Sequence, residues 1–152
     1  MTLAVETDVV VEVPLPAGVT PAEIERLVPF VLRREGAKGE WAIAVVLTDN
    51  AHLQALHREF MGIDTPTDVM SFPVSEEPTG PERGGDVVVS VQRAIEQAPE
   101  FGTTPAEEVR FLVVHGLLHL LGWLDGTEAE RSAMHLRQSE LLRAFRAAGS
   151  AS

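Results

Sequence analysis

The 152-residue chain contains no cysteine, so disulfides and thiolate metal sites are excluded and any bound metal must use His, Asp or Glu. It also has few positive charges. Twelve basic residues stand against 23 acidic ones, for a net charge of −11. That balance argues against broad, nonspecific nucleic-acid binding, which leaves a basic footprint, but it leaves room for a local basic groove. Lys38 is the only lysine; the other basic residues are arginines, which suit point contacts with phosphate. A long apolar run is missing too. The longest stretch, Phe111 to Leu124, is broken by two histidines and two glycines. It falls short of the roughly 20 apolar residues that a membrane helix needs. The acidic N-terminal segment has no basic region and does not read as a signal peptide. The expectation is a soluble, cytoplasmic protein without membrane partners.

The length suits one compact domain over residues 1–152, and 45% hydrophobic residues suffice for an ordinary core. Residues 5–13 alternate valine with polar residues and predict a strand. Thr20-Pro21-Ala22-Glu23 has the form of a capping box with proline at the first helical position, opening a helix to about Glu35 that stops at Gly36. Trp41 to Thr48 reads as a strand buried on both faces. Asp49 or Asn50 caps a helix through about Phe60, ended by Gly62. Val69 to Val74, containing Pro73, predicts an edge strand. Residues 75–85 read as a turn-rich loop and Asp86 to Val91 as a strand, followed by a short helix to about Phe101. A second box at Thr104 opens a helix to Leu121 before Gly122. A third at Thr127 opens a terminal helix lined by Met134, Leu141, Leu142 and Phe145. The succession predicts a small mixed sheet of about four strands packed by helices, an α+β or α/β arrangement.

The informative segment is His115-Gly-Leu-Leu-His119-Leu-Leu-Gly122-Trp-Leu-Asp125. Side chains four apart on a helix share a face one turn apart, so both imidazoles can converge on one ion. Gly122 permits the backbone to stop the helix sharply and swing Asp125 back towards them. Three protein ligands with a fourth position open make the catalytic type of zinc site. Two histidines on one apolar helix face would otherwise each need a separate buried partner. His52 and His57 read as surface residues, and His135 is a reserve ligand should Asp125 fail. A metalloprotease helix of the HExxH kind carries a glutamate base after the first histidine; here that position is Gly116, which cannot transfer a proton.

Three segments together resemble the YbeY family. HGLLHLLGWLD is similar to that family's His-Gly-x-Leu-His-Leu-x-Gly-Tyr-Asp-His signature. Thr67-Asp68-Val69-Met70-Ser71-Phe72-Pro73, preceded by Gly62 to Pro66, resembles its second segment. Gly85-Asp86-Val87-Val88-Val89-Ser90 resembles its third, and the similarity spans roughly residues 40 to 145. The resemblance implies an α+β fold with a zincin-like metal helix and a zinc-dependent endoribonuclease acting on single-stranded RNA, with no DNA substrate. It also implies maturation of the small-subunit (16S) ribosomal RNA at its 3′ end, ribosome quality control, and the small subunit with its assembly proteins as partners.

Two departures matter. The third ligand, usually histidine, is Asp125 here, with Leu124 in the family's aspartate position; the expectation is a site that still holds one Zn²⁺, with broader metal choice. The family's arginine falls at Met61, and Arg58, one turn earlier, is the candidate replacement, joining His115 as a catalytic residue. Thr67, Asp68 and Ser71 are candidates either to support the site or to shape the turn entering the strand, Phe72 reads as core, and Asp86 and Ser90 lie on a strand in a structural role or serving a partner surface. Arg83 and Arg93 are further candidates for phosphate contacts. The rival readings are a non-catalytic zinc-containing ribosome-assembly factor and a metzincin-like protease.

Overall fold

The computed structural model describes residues 2–63, 67–74 and 83–150. Four strands, β1 (Leu3–Val11), β2 (Gly39–Thr48), β3 (Val69–Pro73) and β4 (Arg83–Ser90), form one sheet in the order β1-β2-β4-β3. β1, β2 and β4 run parallel; β3 is antiparallel to β4 on the edge, where Pro73 withholds no needed donor from a further neighbour. Five helices complete the chain: α1 (Pro21–Arg34), α2 (Asn50–Met61), α3 (Val91–Phe101), α4 (Pro105–Leu120) and α5 (Glu128–Ser150). The expected mixed sheet of four helix-packed strands is what forms. No helix among the described residues is long and apolar enough to cross a membrane.

The core lies between the sheet and α1, α4 and α5. Ile43, Val45, Leu47, Val87 and Val89 meet Leu27, Val28, Val31, Val113, Leu117, Met134 and Leu141, all 2% exposed or less. β2 differs from expectation. Only its Ile43 face is fully buried, while Ala42 is exposed and Ala44 and Val46 are half-covered. The apolar run concealed an ordinary alternation because small alanines occupy much of the outward face. β1 begins two residues earlier than predicted.

The caps are where the sequence places them, with one exchange of partners. Thr104 and Glu107 form a reciprocal box, as do Thr127 and Glu130. At α1 only the Thr20 half is made, its hydroxyl accepting from the Glu23 amide; the Glu23 carboxylate instead binds Arg110 of α4 at 2.9 Å.

β4 starts at Arg83, inside the stretch read as loop; residues 75–82 lie outside the described residues. The glycines that suggested a turn are strand residues for a steric reason. Gly84 (φ +124°) lies so close to β2 that a Cβ would collide with the Ala42 carbonyl, and one at Gly85 (φ +149°) would collide with the Phe72 carbonyl of β3. Gly84→Ala is expected to destabilise the fold by about 2 kcal/mol or more, lowering Tm by about 4–8 °C. A Tm within a degree of the parent's would refute that close approach.

Candidate metal centre

α4 carries the centre. Its buried face packs on the sheet through Gly116, where a Cβ would run into Val87 and crowd the Ser71 hydroxyl and Val69. Ser71 donates to the Gly116 carbonyl at 2.8 Å, so β3 fixes the helix between the two histidines. A glutamate at position 116 would drive into the sheet. The missing protease base is therefore a packing requirement of this fold.

His115 and His119 point to the same side, their ring centroids 4.6 Å apart. Past α4 the Gly122 amide donates to the His119 carbonyl and Trp123 to Leu118, with Gly122 at φ +99°. The turn brings Asp125 back. His119 Nε2 lies 3.1 Å from His115 Nε2 and 3.1 Å from Asp125 Oδ2, and His115 Nε2 lies 3.4 Å from that oxygen. The three form a single cluster able to hold an ion among the described residues. His135 is not part of it. It is exposed on α5 with its ring against Phe111, at a centroid distance of 5.5 Å.

The hydrogen bonds behind the rings decide what this triangle is. Gln138, fully buried on α5, donates through Nε2 to the Phe111 carbonyl at 3.1 Å, which turns its Oε1 towards His115 Nδ1 at 3.2 Å. His119 Nδ1 faces the Trp123 carbonyl at 3.0 Å. Both partners can only accept, so both Nδ1 atoms carry the proton. A neutral imidazole with its proton on Nδ1 leaves Nε2 a pure acceptor. Two such lone pairs and a carboxylate oxygen thus converge with no donor among them. Burial above all keeps His115 below the usual imidazole pKa, reinforced by His119 and opposed by the Gln138 bond and by Asp125 and Asp68, so the ring favours the neutral form a ligand needs. A cation resolves the conflict. Tetrahedral coordination with bonds of about 2.0–2.1 Å requires donor–donor edges of about 3.3 Å, which the three separations match.

The turn is braced from α1. Glu35 accepts from Trp123 Nε1 at 2.7 Å and from Arg137 Nε at 2.7 Å, tying the segment after Gly122 to α5. Of the supporting candidates, Asp68 is held by Gln97 Nε2 at 3.3 Å, and its carbonyl accepts from Ser90 N at 2.9 Å. Ser90 is buried and caps α3 while donating to Asn50 at 2.6 Å. The structure does not bring Arg58 to the triad. Ser71 faces α4, so by strand alternation Phe72 faces the other way, and it meets Phe60 of α2 at 5.2 Å. α2 therefore packs on the opposite side of the sheet from α4, and Arg58 is exposed there; Met61, the last residue of α2, is exposed at the end of the helix. Arg93 is exposed on α3, and Arg83 is half-buried on β4; neither lines the cavity beside His115.

Two residues in this region were missed in the sequence. Gln138 had a signal: it is a polar residue on the same stripe as Met134 and Leu141. Glu108, two turns before His115, is 4% exposed and bonded to Gln97 at 2.9 Å and Thr103 at 3.4 Å. No motif marked it.

A profile of the family described as Endoribonuclease YbeY matches residues 16–146. A protein named Endoribonuclease YbeY from Roseiflexus sp. is 38% identical over 146 residues, covering 91% of each chain. Its namesake from Bacillus subtilis is 37% identical over 132 residues, covering 81% of this chain and 84% of its own. The solution structure of TM1509 from Thermotoga maritima superposes with a TM-score of 0.58 at 24% identity, covering 96% of this chain and 95% of that one, and so shares its fold.

Two outcomes test the centre. Gln138→Ala should weaken zinc binding about 10–100-fold by freeing the His115 ring, whereas His135→Ala should leave the zinc content unchanged. Equal affinity in the Gln138 variant, measured by competition with a chromogenic chelator, would contradict the tautomer argument. Burial raises the Glu108 pKa from 4.5 against its hydrogen bonds to Gln97 and Thr103. The folded chain then holds a proton that the unfolded chain has released. The stability this contributes is complete below about pH 4.5 and is lost as pH rises through the folded value. Glu108→Gln should flatten the fall in urea midpoint above pH 4.5; an unchanged slope would remove Glu108 as its source.

Proposed function

The chain belongs to the Endoribonuclease YbeY family, and from that premise we propose that it is a zinc-dependent endoribonuclease of single-stranded RNA. The observation that carries the reading is the convergence of His115 Nε2, His119 Nε2 and Asp125 Oδ2 with no proton between them, on a helix whose Gly116 excludes the protease base. Zinc held by these three supplies Lewis-acid chemistry to phosphodiester hydrolysis. The protein's own part is positional. Gln138 and the Trp123 carbonyl keep both Nε2 lone pairs aimed, and Ser71 and Glu35 hold the helix and turn that carry them. Asp68 and Glu108 line the adjoining cavity as acceptors joined through Gln97.

The finer reading is maturation of the 3′ end of small-subunit ribosomal RNA and late ribosome quality control in the cytoplasm, with the small subunit as partner. Support for it comes from family membership. Met61 in the family's arginine position, 61% exposed, favours a second reading, a non-catalytic assembly factor that keeps the metal.

Cleavage of 5′-labelled RNA separates the two. The zinc-loaded protein should cut a single strand and spare the duplex, a chelator should abolish cutting, and Asp125→Ala should lose zinc and at least about 100-fold in kcat/KM. Intact zinc content in Asp125→Ala would sink the ligand assignment. No cutting by the zinc-loaded parent, with none gained by Met61→Arg, would favour the assembly factor.

A further inference from the structure

A groove of about 1180 Å³ runs from His115 across α4 and between α1 and α5. Its charge is unlike that of the chain as a whole. Arg110 is neutralised by Glu23 at 2.9 Å, and Arg146 by Glu107 at 3.7 Å. The remaining acids of the lining, Asp68 and Glu108, sit at the Gln97 end, near His115. What is left on the α1–α5 walls is Arg26, Arg33 and Arg143, all exposed, whose guanidinium groups make no ion pair or hydrogen bond among the described residues. In a protein of net charge −11, this stretch carries +3.

Aromatic rings stand between the charges. Arg26 and Arg33 are seven residues apart on α1, about 10.5 Å along its axis. Phe30 lies between them, in a T-shaped contact with Phe145 of α5 at a centroid distance of 5.3 Å and with the Arg34 guanidinium over its ring at 5.2 Å, and both rings line the groove. Alternating guanidinium groups and aromatic faces along a channel is the chemistry that holds a single strand, with phosphates on the cations and unstacked bases on the rings. Arginine suits that task better than lysine, because its planar fork matches phosphate.

Resting on the proposed activity, we infer that this groove is the track for the RNA strand leading to the metal: Arg26, Arg33 and Arg143 hold successive phosphates, and Phe30 and Phe145 receive bases. The track lies on the α4 side of the sheet. It replaces Arg58, Arg83 and Arg93 as the source of phosphate contacts, since none of those lines it.

The test is equilibrium binding of a fluorescein-labelled, hydrolysis-resistant phosphorothioate RNA 12-mer to the zinc-loaded full chain across a salt series. R26Q/R33Q/R143Q should weaken binding at least tenfold at low salt. It should also lower the slope of log K against log salt by about 2, since each single-strand phosphate contact contributes about 0.7. Its Tm and zinc content should match the parent's. A triple variant with the parent's affinity and slope, or a parent that does not bind the strand, overturns the track. RNA cleavage is scored separately. Binding lost in the triple variant while the parent cuts nothing leaves the track standing and sinks the nuclease reading; cutting by the parent with binding intact in the variant sinks the track alone.

Discussion

Two imidazole nitrogens 3.1 Å apart, each stripped of its proton by what lies behind the ring, can stay together only around a positive charge. The rest of the centre serves that confrontation. Gln138 is buried at the price of satisfying both ends of its amide, one on the Phe111 carbonyl and the other on His115. The turn after Gly122 spends the Trp123 carbonyl on His119 while the Trp123 ring is tied to Glu35. Asp125 closes the triangle from the same turn, so one short segment provides both a ligand and the partner that aims another ligand.

The sheet sets the position of that segment. Gly116 lets α4 sit down on Val87, and Ser71 catches the carbonyl exposed there. Gly84 and Gly85 let β2, β4 and β3 approach closely enough to form the surface. A larger side chain at any of the three would lift the metal helix or part the strands. The glycines are thus steric requirements of the site as much as of the fold.

Much of this was legible in the chain. The HxxxH spacing, the glycine stop and Asp125 appear in sequence order, and three threonine caps mark three helix starts. Less visible were features that depend on what lies across space. Glu23 completes a box on paper, yet Arg110 of another helix takes its carboxylate. The β2 run looked buried on both sides because alanine counts as apolar even when it faces outward. Arg58 stood one turn from the family's arginine position, but α2 lies beyond the sheet from α4. Gln138 could be singled out only as a polar residue on an apolar stripe, with its partner 23 residues away.

The acidic composition and an RNA substrate are compatible because charge is unevenly placed. Ion pairs cancel the carboxylates along the α1–α5 walls, leaving arginines over an aromatic floor while most acidic residues lie elsewhere. All of it presupposes the ion. The most direct measurement is a crystal structure of the zinc-loaded protein with anomalous scattering collected at the zinc edge. The account predicts one strong peak within about 2.0–2.2 Å of His115 Nε2, His119 Nε2 and Asp125 Oδ2 together. An absent peak, or one bound elsewhere while the two rings keep their separation, would contradict it.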